Sequence, residues 1–199
     1  MGRPNLADTR REEILESTAR CIAMYGFSAT TLSKISEESG MSRGHIRHYV
    51  GNRDELMKEF THWLLGQQED QSRRIQEHPD FESVASMLDY LFGPELSDSN
   101  DDNTIILELL KASRTDETLR GALFSEYGRM QESIRVTLES AVPHALPSLL
   151  DATAYSLLSI ALGNALLSDL NPENNSDDIV RTAGEQIVTA LIAASSMRG

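Results

Sequence analysis

The sequence is poor in the features that mark secreted, membrane and disulfide-stabilised proteins. Its single cysteine, Cys21, has no partner for a disulfide and does not make a structural zinc site alone. No apolar run reaches the roughly 18 to 20 residues of a membrane-spanning helix, because the longest candidates, at 155–167 and 187–194, are interrupted by polar or small residues. The first residues are polar and charged, which predicts no secretory signal. We therefore expect a cytoplasmic protein with no membrane partner.

Strand patterns are equally scarce. The sequence has no sustained alternation of apolar and polar residues, whereas apolar residues recur at helical spacing along most of the chain. Glycines and prolines mark helix ends, and Asn52 is positioned to cap a helix that continues to about residue 74. The other helices are predicted at about 9–25, 31–39, 43–49, 81–92, 103–113, 116–141, 147–169 and 176–196. The pattern predicts an all-α fold of about nine helices, with an acidic loop at 97–103.

One ten-residue segment, GMSRGHIRHY at 40–49, contains no acidic residue although the chain carries a net charge of −13. Residues 1–56 hold eight Lys or Arg and eight acids, so residues 57–199 carry the whole negative excess, with 10 bases and 23 acids. One interpretation is an acidic surface that keeps the larger part soluble. The other is a neutral-to-basic head that meets an anionic polymer while the acidic body stays away from it.

The segment Leu32–Tyr49 has the residue types that a helix-turn-helix requires. Two short helices that cross steeply need a small residue at the crossing, and Ser36 occupies that position. Gly40 suits a turn with positive φ, and Ile46 supplies an apolar anchor that faces the core. This combination predicts a helix-turn-helix whose second helix reads DNA.

The outward face of that second helix carries hydrogen-bond donors. Arginine donates two bonds to the edge of a guanine, while serine and histidine donate to purine acceptors or to phosphate. Gly44 lets the helix backbone come close to the groove, Tyr49 and Thr31 reach phosphates, and Arg53 forms a phosphate clamp with free N–H groups at the next helix start. The predicted DNA-binding residues are Thr31, Ser42, Arg43, Gly44, His45, Arg47, His48, Tyr49 and Arg53.

The segment from Arg10 to Leu56, which ends GMSRGHIRHYVGNRDEL, resembles the N-terminal domain of TetR-family transcriptional regulators. The resemblance implies three N-terminal helices in a DNA-binding domain at 1–52 and an effector-binding and dimerisation domain at 53–199. It implies a repressor that binds a palindromic operator as a homodimer and is released by a small molecule of unknown identity. Within the family the motif is similar to the choline-responsive BetI-like branch. Arg47 replaces a common tyrosine and Arg53 a common lysine, and Ser36 stands where alanine is usual.

The last two predicted helices, at about 147–169 and 176–196, carry wide apolar stripes. These stripes are compatible with an internal core or with a two-helix face that pairs with a symmetry mate. The family resemblance favours the dimer. An effector pocket is expected to be lined by aromatic and Met residues of the body. The candidates are Trp63, Met87, Tyr90, Phe124, Tyr127 and Tyr155.

Two other functions remain open from the sequence. Glu59 and His62 have the spacing of a di-iron bundle ligand pair, so a helical-bundle metal enzyme is one alternative. A second copy of that motif is missing, which favours an ordinary surface helix face. The other alternative is a DNA-binding adaptor whose body binds a protein. The preferred prediction has no catalytic residues, no metal and no cofactor.

Overall fold

The computed structural model describes residues 6–64, 83–93, 100–168 and 176–196. Over these ranges it contains nine helices and no strand. They are α1 (Leu6–Tyr25), α2 (Leu32–Ser39), α3 (Arg43–Val50), α4 (53–64), α5 (Val84–Leu91), α6 (Asn100–Ala112), α7 (Glu117–Ala141), α8 (Pro147–Ser168) and α9 (Ser176–Ser196). The predicted all-α fold with an N-terminal helix-turn-helix is therefore confirmed. The predicted continuation of α4 to residue 74 lies outside the described residues.

One boundary differs from the sequence prediction in an informative way. The segment 97–103 was expected to be an acidic loop, but the chain is helical from Asn100 onward. Acids in the first turn of a helix interact favourably with the positive end of the helix dipole. A run of acids alone suggests a loop, but acids are also favourable at a helix start.

The chain divides into two compact units, the first comprising Met1–Gln68 and Asp101–Leu123. Among its described residues, α1 buries one stripe of side chains at helical spacing, including Ile14, Cys21 and Ile22. Its core is completed by residues from the other helices of the unit. The fully buried ones are Ile35, Ile46, Leu56, Phe60, Ile105 and Leu109.

The second unit comprises Glu69–Asn100 and Phe124–Gly199. Its core is built from α5, α7, α8 and α9, and α8 contributes more buried side chains than any other helix. The α8 residues in this core are Leu150, Ala154, Leu157, Leu158 and Ala161. These belong to the wide stripe that the sequence left open between core and dimer face, so the buried part of the stripe is core.

Helix α8 is also long and apolar enough over Pro147–Leu167 to cross a membrane by length and composition. Core helices of water-soluble proteins pass the same test. Here 44% of the tested window is buried inside the protein, and its Leu157 and Ala161 pack in the core of the second unit.

Candidate nucleic-acid interface

The turn between α2 and α3 is closed by local hydrogen bonds. Helix α2 ends at Gly40, whose φ of 69° lies in the left-handed region that glycine adopts without strain. The Ser36 hydroxyl donates to the Met41 carbonyl oxygen at 2.5 Å, and the Met41 N–H donates to the Ser39 hydroxyl at 3.3 Å. The sequence marks Ser36 only as a small residue at the helix crossing. In the structure its hydroxyl also joins α2 to the turn.

Helix α3 has one buried and one exposed face. Ile46 is fully buried and Val50 nearly so, and they anchor the helix to the first unit. The Ser42 hydroxyl accepts a hydrogen bond from the His45 N–H at 3.2 Å and so caps the helix. The exposed residues are Ser42, Arg43, Gly44, His45, Arg47 and His48. These are the residues that the sequence placed on the outward face; their contact with DNA stays a prediction.

The charges of the head are distributed unevenly around α3. Several arginines of the first unit are paired with carboxylates: Arg10 with Glu13 at 2.5 Å, Arg20 with Glu38 at 2.7 Å and Arg11 with Glu59 at 3.5 Å. In contrast, Arg43 and Arg47 form no ion pair with any described residue, and Arg43 only approaches the Ser33 hydroxyl at 3.5 Å. The positive charge of the α3 face is therefore not neutralised within the described protein, which suits an anionic partner.

Tyr49 packs against both histidines of α3. Its ring centroid lies 5.2 Å from that of His45 and 5.2 Å from that of His48, with tilted and edge-on geometry respectively. Tyr49 itself is half-buried. These aromatic contacts restrict the orientation of the two histidine rings. Both histidines nevertheless remain exposed.

Thr31 caps the start of α2. Its backbone is extended, with φ of −124°, and its hydroxyl accepts a hydrogen bond from the Lys34 N–H at 3.3 Å. The side chain is exposed. Because the hydroxyl accepts this bond, its own proton remains available for an outside acceptor such as a phosphate oxygen.

The start of α4 agrees with the prediction in one respect and differs in another. Asn52 caps the helix as predicted, but the N–H groups next to Arg53 are not free, because the Asn52 side-chain oxygen accepts from the N–H groups of Asp54 and Glu55 at 2.9 and 3.1 Å. The Glu55 carboxylate accepts in turn from the Asn52 N–H at 2.7 Å. This reciprocal capping box occupies donors that a phosphate would need.

Arg53 is directed toward the protein. Its Nε donates to the Thr30 carbonyl oxygen at 2.8 Å, and its Nη2 donates to the Phe27 carbonyl oxygen at 2.7 Å. Its guanidinium carbon also lies 5.9 Å from the centre of the Phe27 ring. The structure thus connects Arg53 to the loop between α1 and α2.

The six predicted effector-pocket residues occupy different environments. Phe124 and Tyr155 are 82% and 63% exposed, whereas Met87 is buried in the core of the second unit. Trp63, Tyr90 and Tyr127 are half-buried. Within the first unit, a cleft of about 480 Å³ is lined by other residues, among them Met57, His62 and Leu119. The predicted pocket therefore stays a prediction.

Tyr127 is a member of that set whose pKa is strongly shifted. Burial, followed by the charge of Glu126, raises its pKa to about 12. Glu126 itself is buried and forms an ion pair with Arg129. Tyr127 consequently keeps its phenolic proton throughout the physiological range and remains a hydrogen-bond donor.

The metal-enzyme alternative depends on Glu59 and His62. Among the described residues, they do not form a metal-binding group with other His, Cys, Asp or Glu side chains. Glu59 pairs with Arg11, and His62 is exposed beside the cleft. Across the described parts of the chain, no three His, Cys, Asp or Glu side chains are grouped so that they could hold a metal ion.

The segment that carries the helix-turn-helix is similar to a known protein family. The family model described as "Bacterial regulatory proteins, tetR family" matches residues 14–60. That range runs from the buried half of α1 through α2 and α3 into α4.

Relatives extend the similarity beyond the head. The HTH-type transcriptional repressor AcnR of Corynebacterium glutamicum is 31% identical over 132 residues, which are 66% of this chain and 65% of that protein. The match thus spans slightly less than two thirds of the repressor. The HTH-type transcriptional regulator BetI of Burkholderia thailandensis is 31% identical over 65 residues, or 33% of each chain. Similarity to both regulators leaves the BetI-like branch a prediction.

A solved structure resembles the whole chain in fold. A protein of Pseudomonas aeruginosa PAO1 superimposes with a TM-score of 0.79 and covers 98% of this chain and 96% of its own. Its sequence identity of 22% supports a shared fold alone.

Proposed function

We propose that this chain, a member of the TetR family of bacterial regulatory proteins, is a ligand-responsive transcriptional repressor of the cytoplasm. Residues 1–52 form its DNA-binding domain and residues 53–199 its effector-binding and dimerisation domain. Regulators of this family bind DNA operators and typically act as dimers with small-molecule effectors. The similarity to named repressors, which include AcnR, supports repression over activation and regulation over enzymatic activity.

The exposed face of α3 is the observation that carries the proposal. It presents Arg43 and Arg47 without carboxylate partners among the described residues, while Ile46 fixes the helix from behind. Such a face suits the major groove, where a guanidinium donates to both N7 and O6 of a guanine. Ser42, His45 and His48 supply further donors for base edges or phosphates, and Gly44 permits a close approach. Thr31 and Tyr49 are assigned to the phosphate backbone, which fixes the register of the helix.

The dimer is proposed to form through α8 and α9. Both helices bury one side in the core of the second unit, yet each also exposes large apolar side chains. The exposed ones are Tyr155, Leu167, Ile179 and Ile192. Exposed apolar groups on two packed helices support an interface with a second copy, which would present two α3 helices to a palindromic operator.

Release by an effector requires two states of the dimer with different operator affinities. A small molecule that binds the body of one state more tightly lowers the population that fits DNA. Half-buried Tyr90 and Tyr127 are the candidates best suited to line such a site, since they combine apolar surface with a hydroxyl.

Fluorescence anisotropy with the DNA upstream of this protein's own gene tests the proposal. We expect specific binding that weakens steeply as the salt concentration rises, because counterions are released from the phosphates. A shuffled duplex of the same length and composition is the control. Binding that does not distinguish the two duplexes at any salt concentration would refute the proposed function.

A further inference from the structure

The loop between α1 and α2, residues 26–31, is held by hydrogen bonds within the loop and by one from Lys34. The Gly26 carbonyl oxygen accepts from the N–H and the hydroxyl of Thr30 at 3.1 and 2.9 Å. The Ala29 carbonyl oxygen accepts from Lys34 Nζ at 3.0 Å. Thr30 is fully buried. The loop is therefore a defined structure, and it leads directly into Thr31 at the start of α2.

Both backbone groups of Phe27 are held by charged side chains from outside the loop. Its N–H donates to the carboxylate oxygen Oε2 of Glu108 at 2.9 Å, and its carbonyl oxygen accepts from Arg53 Nη2 at 2.7 Å. Arg53 lies at the start of α4, while Glu108 lies on α6, 81 residues along the chain from Phe27. An anion on the N–H and a cation on the carbonyl are the matching charges for these two groups.

Gly26 shows that the loop backbone is fitted to the Glu108 carboxylate. Its φ of +82° favours glycine, and a Cβ placed there would lie 2.7 Å from Glu108 Oε2. A side chain at this position would push the carboxylate away from Phe27. Glu108 is itself largely buried, with its side chain 23% exposed, and its other oxygen lies 3.4 Å from Lys111 Nζ.

We propose that Glu108 and Arg53 are positioning residues for DNA binding, which hold Phe27 from two sides and so fix Thr31 and α2 for the phosphate backbone. The inference rests on the proposed function. It gives Arg53 a role different from the direct phosphate contact that the sequence suggested. Three donor bonds from Arg53 to carbonyl oxygens of residues 27, 28 and 30 support that role. Neither residue needs to touch DNA for its loss to weaken binding.

The experiment uses the full-length protein with matched variants at Glu108. Glu108→Ala should speed hydrogen exchange of the Phe27 amide and weaken operator binding about tenfold, since a bond to a charged group is lost. Glu108→Gln should restore most of both, because its side-chain oxygen accepts the same bond. Lys111→Ala removes the neighbouring charge without touching the loop and should behave as the wild type.

Salt titration separates positioning from phosphate contact at Arg53. If Arg53 acts through the loop, Arg53→Ala weakens binding but leaves the slope of log affinity against log salt unchanged. A direct phosphate contact lowers that slope by about one. The effects of Arg53→Ala and Glu108→Ala should also be less than additive, because both act on one loop.

Three results would overturn the inference: unchanged Phe27 exchange in Glu108→Ala, a Glu108→Gln variant as weak as Glu108→Ala, or a slope that falls by about one in Arg53→Ala. Circular dichroism confirms that each variant folds, and if Glu108→Ala does not fold, the glutamine variant and Arg53→Ala decide. Failure of the wild type to bind specific DNA would refute the proposed function, whereas the Phe27 exchange rates still report whether Glu108 holds the loop.

Discussion

Two adjacent residues of α3 are expected to contribute to different properties. One contributes to DNA recognition and the other to the stability of the fold. Arg47 is exposed and forms no ion pair with a described residue, whereas Ile46 is fully buried. Arg47→Ala therefore removes donors and charge from the surface. Ile46→Val removes one buried methyl group and leaves every donor on the outer face in place.

The magnitudes follow from these environments. Arg47→Ala should change the free energy of unfolding by less than about 0.5 kcal/mol, as expected for a surface site without partners. If its guanidinium donates to both acceptors of a guanine, its loss costs about 1–3 kcal/mol of discrimination, or roughly fivefold to 150-fold in affinity. Ile46→Val should cost about 0.5–1.5 kcal/mol of stability with operator affinity close to that of the wild type.

Urea denaturation and anisotropy on the same protein preparations check both expectations. Affinity is measured for the operator and for duplexes with single base-pair changes in each half-site. We expect Arg47→Ala to flatten the preference at one base pair of each half-site. A uniform loss on all duplexes, or a loss of stability in Arg47→Ala as large as that of Ile46→Val, would refute it.

Three further predictions concern other groups. Ser36→Ala removes the bond from its hydroxyl to the Met41 carbonyl and should lower the free energy of unfolding by about 1 kcal/mol; an unchanged urea midpoint would contradict this. Burial raises the pKa of the Cys21 thiol, so we expect a maleimide to label it only in denaturant, and rapid labelling of the native protein would show that the thiol is accessible. Tyrosinate absorbance should show one tyrosine that titrates at about pH 12, and this titration step should be absent in Tyr127→Phe. The pKa of Tyr127 lies above the ordinary 10.0. The contribution of this side chain to the free energy of unfolding is therefore complete below about pH 10 and is lost as the pH rises through 12.

The sequence predicts the helix-turn-helix well because the residues that determine it are close together in the chain. Gly40 and Ile46 specify a turn and an anchor within seven residues, and each occupies the expected position in the structure. Helix spans in the second half were also close to their observed bounds, since their apolar periodicity is long and is interrupted by prolines.

What the sequence does not predict depends on contacts between distant residues. The bond from Phe27 to Glu108 joins a backbone N–H to a residue 81 positions away, and a backbone donor has no sequence signature. Arg53 was interpreted from its charge and its place at a helix start, but its bonds go to carbonyl oxygens that the sequence does not mark.

The effector pocket was less predictable still. Aromatic residues of the body were grouped by type, yet Phe124 and Tyr155 lie on the surface while Met87 lies in the core. An amphipathic helix exposes some aromatic side chains and buries others. Composition alone does not assign them to a cavity.

We propose that the exposed face of α3 reads a palindromic operator in a dimer. Selection of bound duplexes from a random pool by the purified protein tests it most directly. We expect an enriched inverted repeat whose half-sites are centred one or more helical turns apart, at about 10 base pairs per turn. Arg47→Ala should relax the sequence preference of both half-sites equally. A pool without an enriched sequence, or an enriched single half-site that is insensitive to Arg47→Ala, would show that this face does not read such an operator.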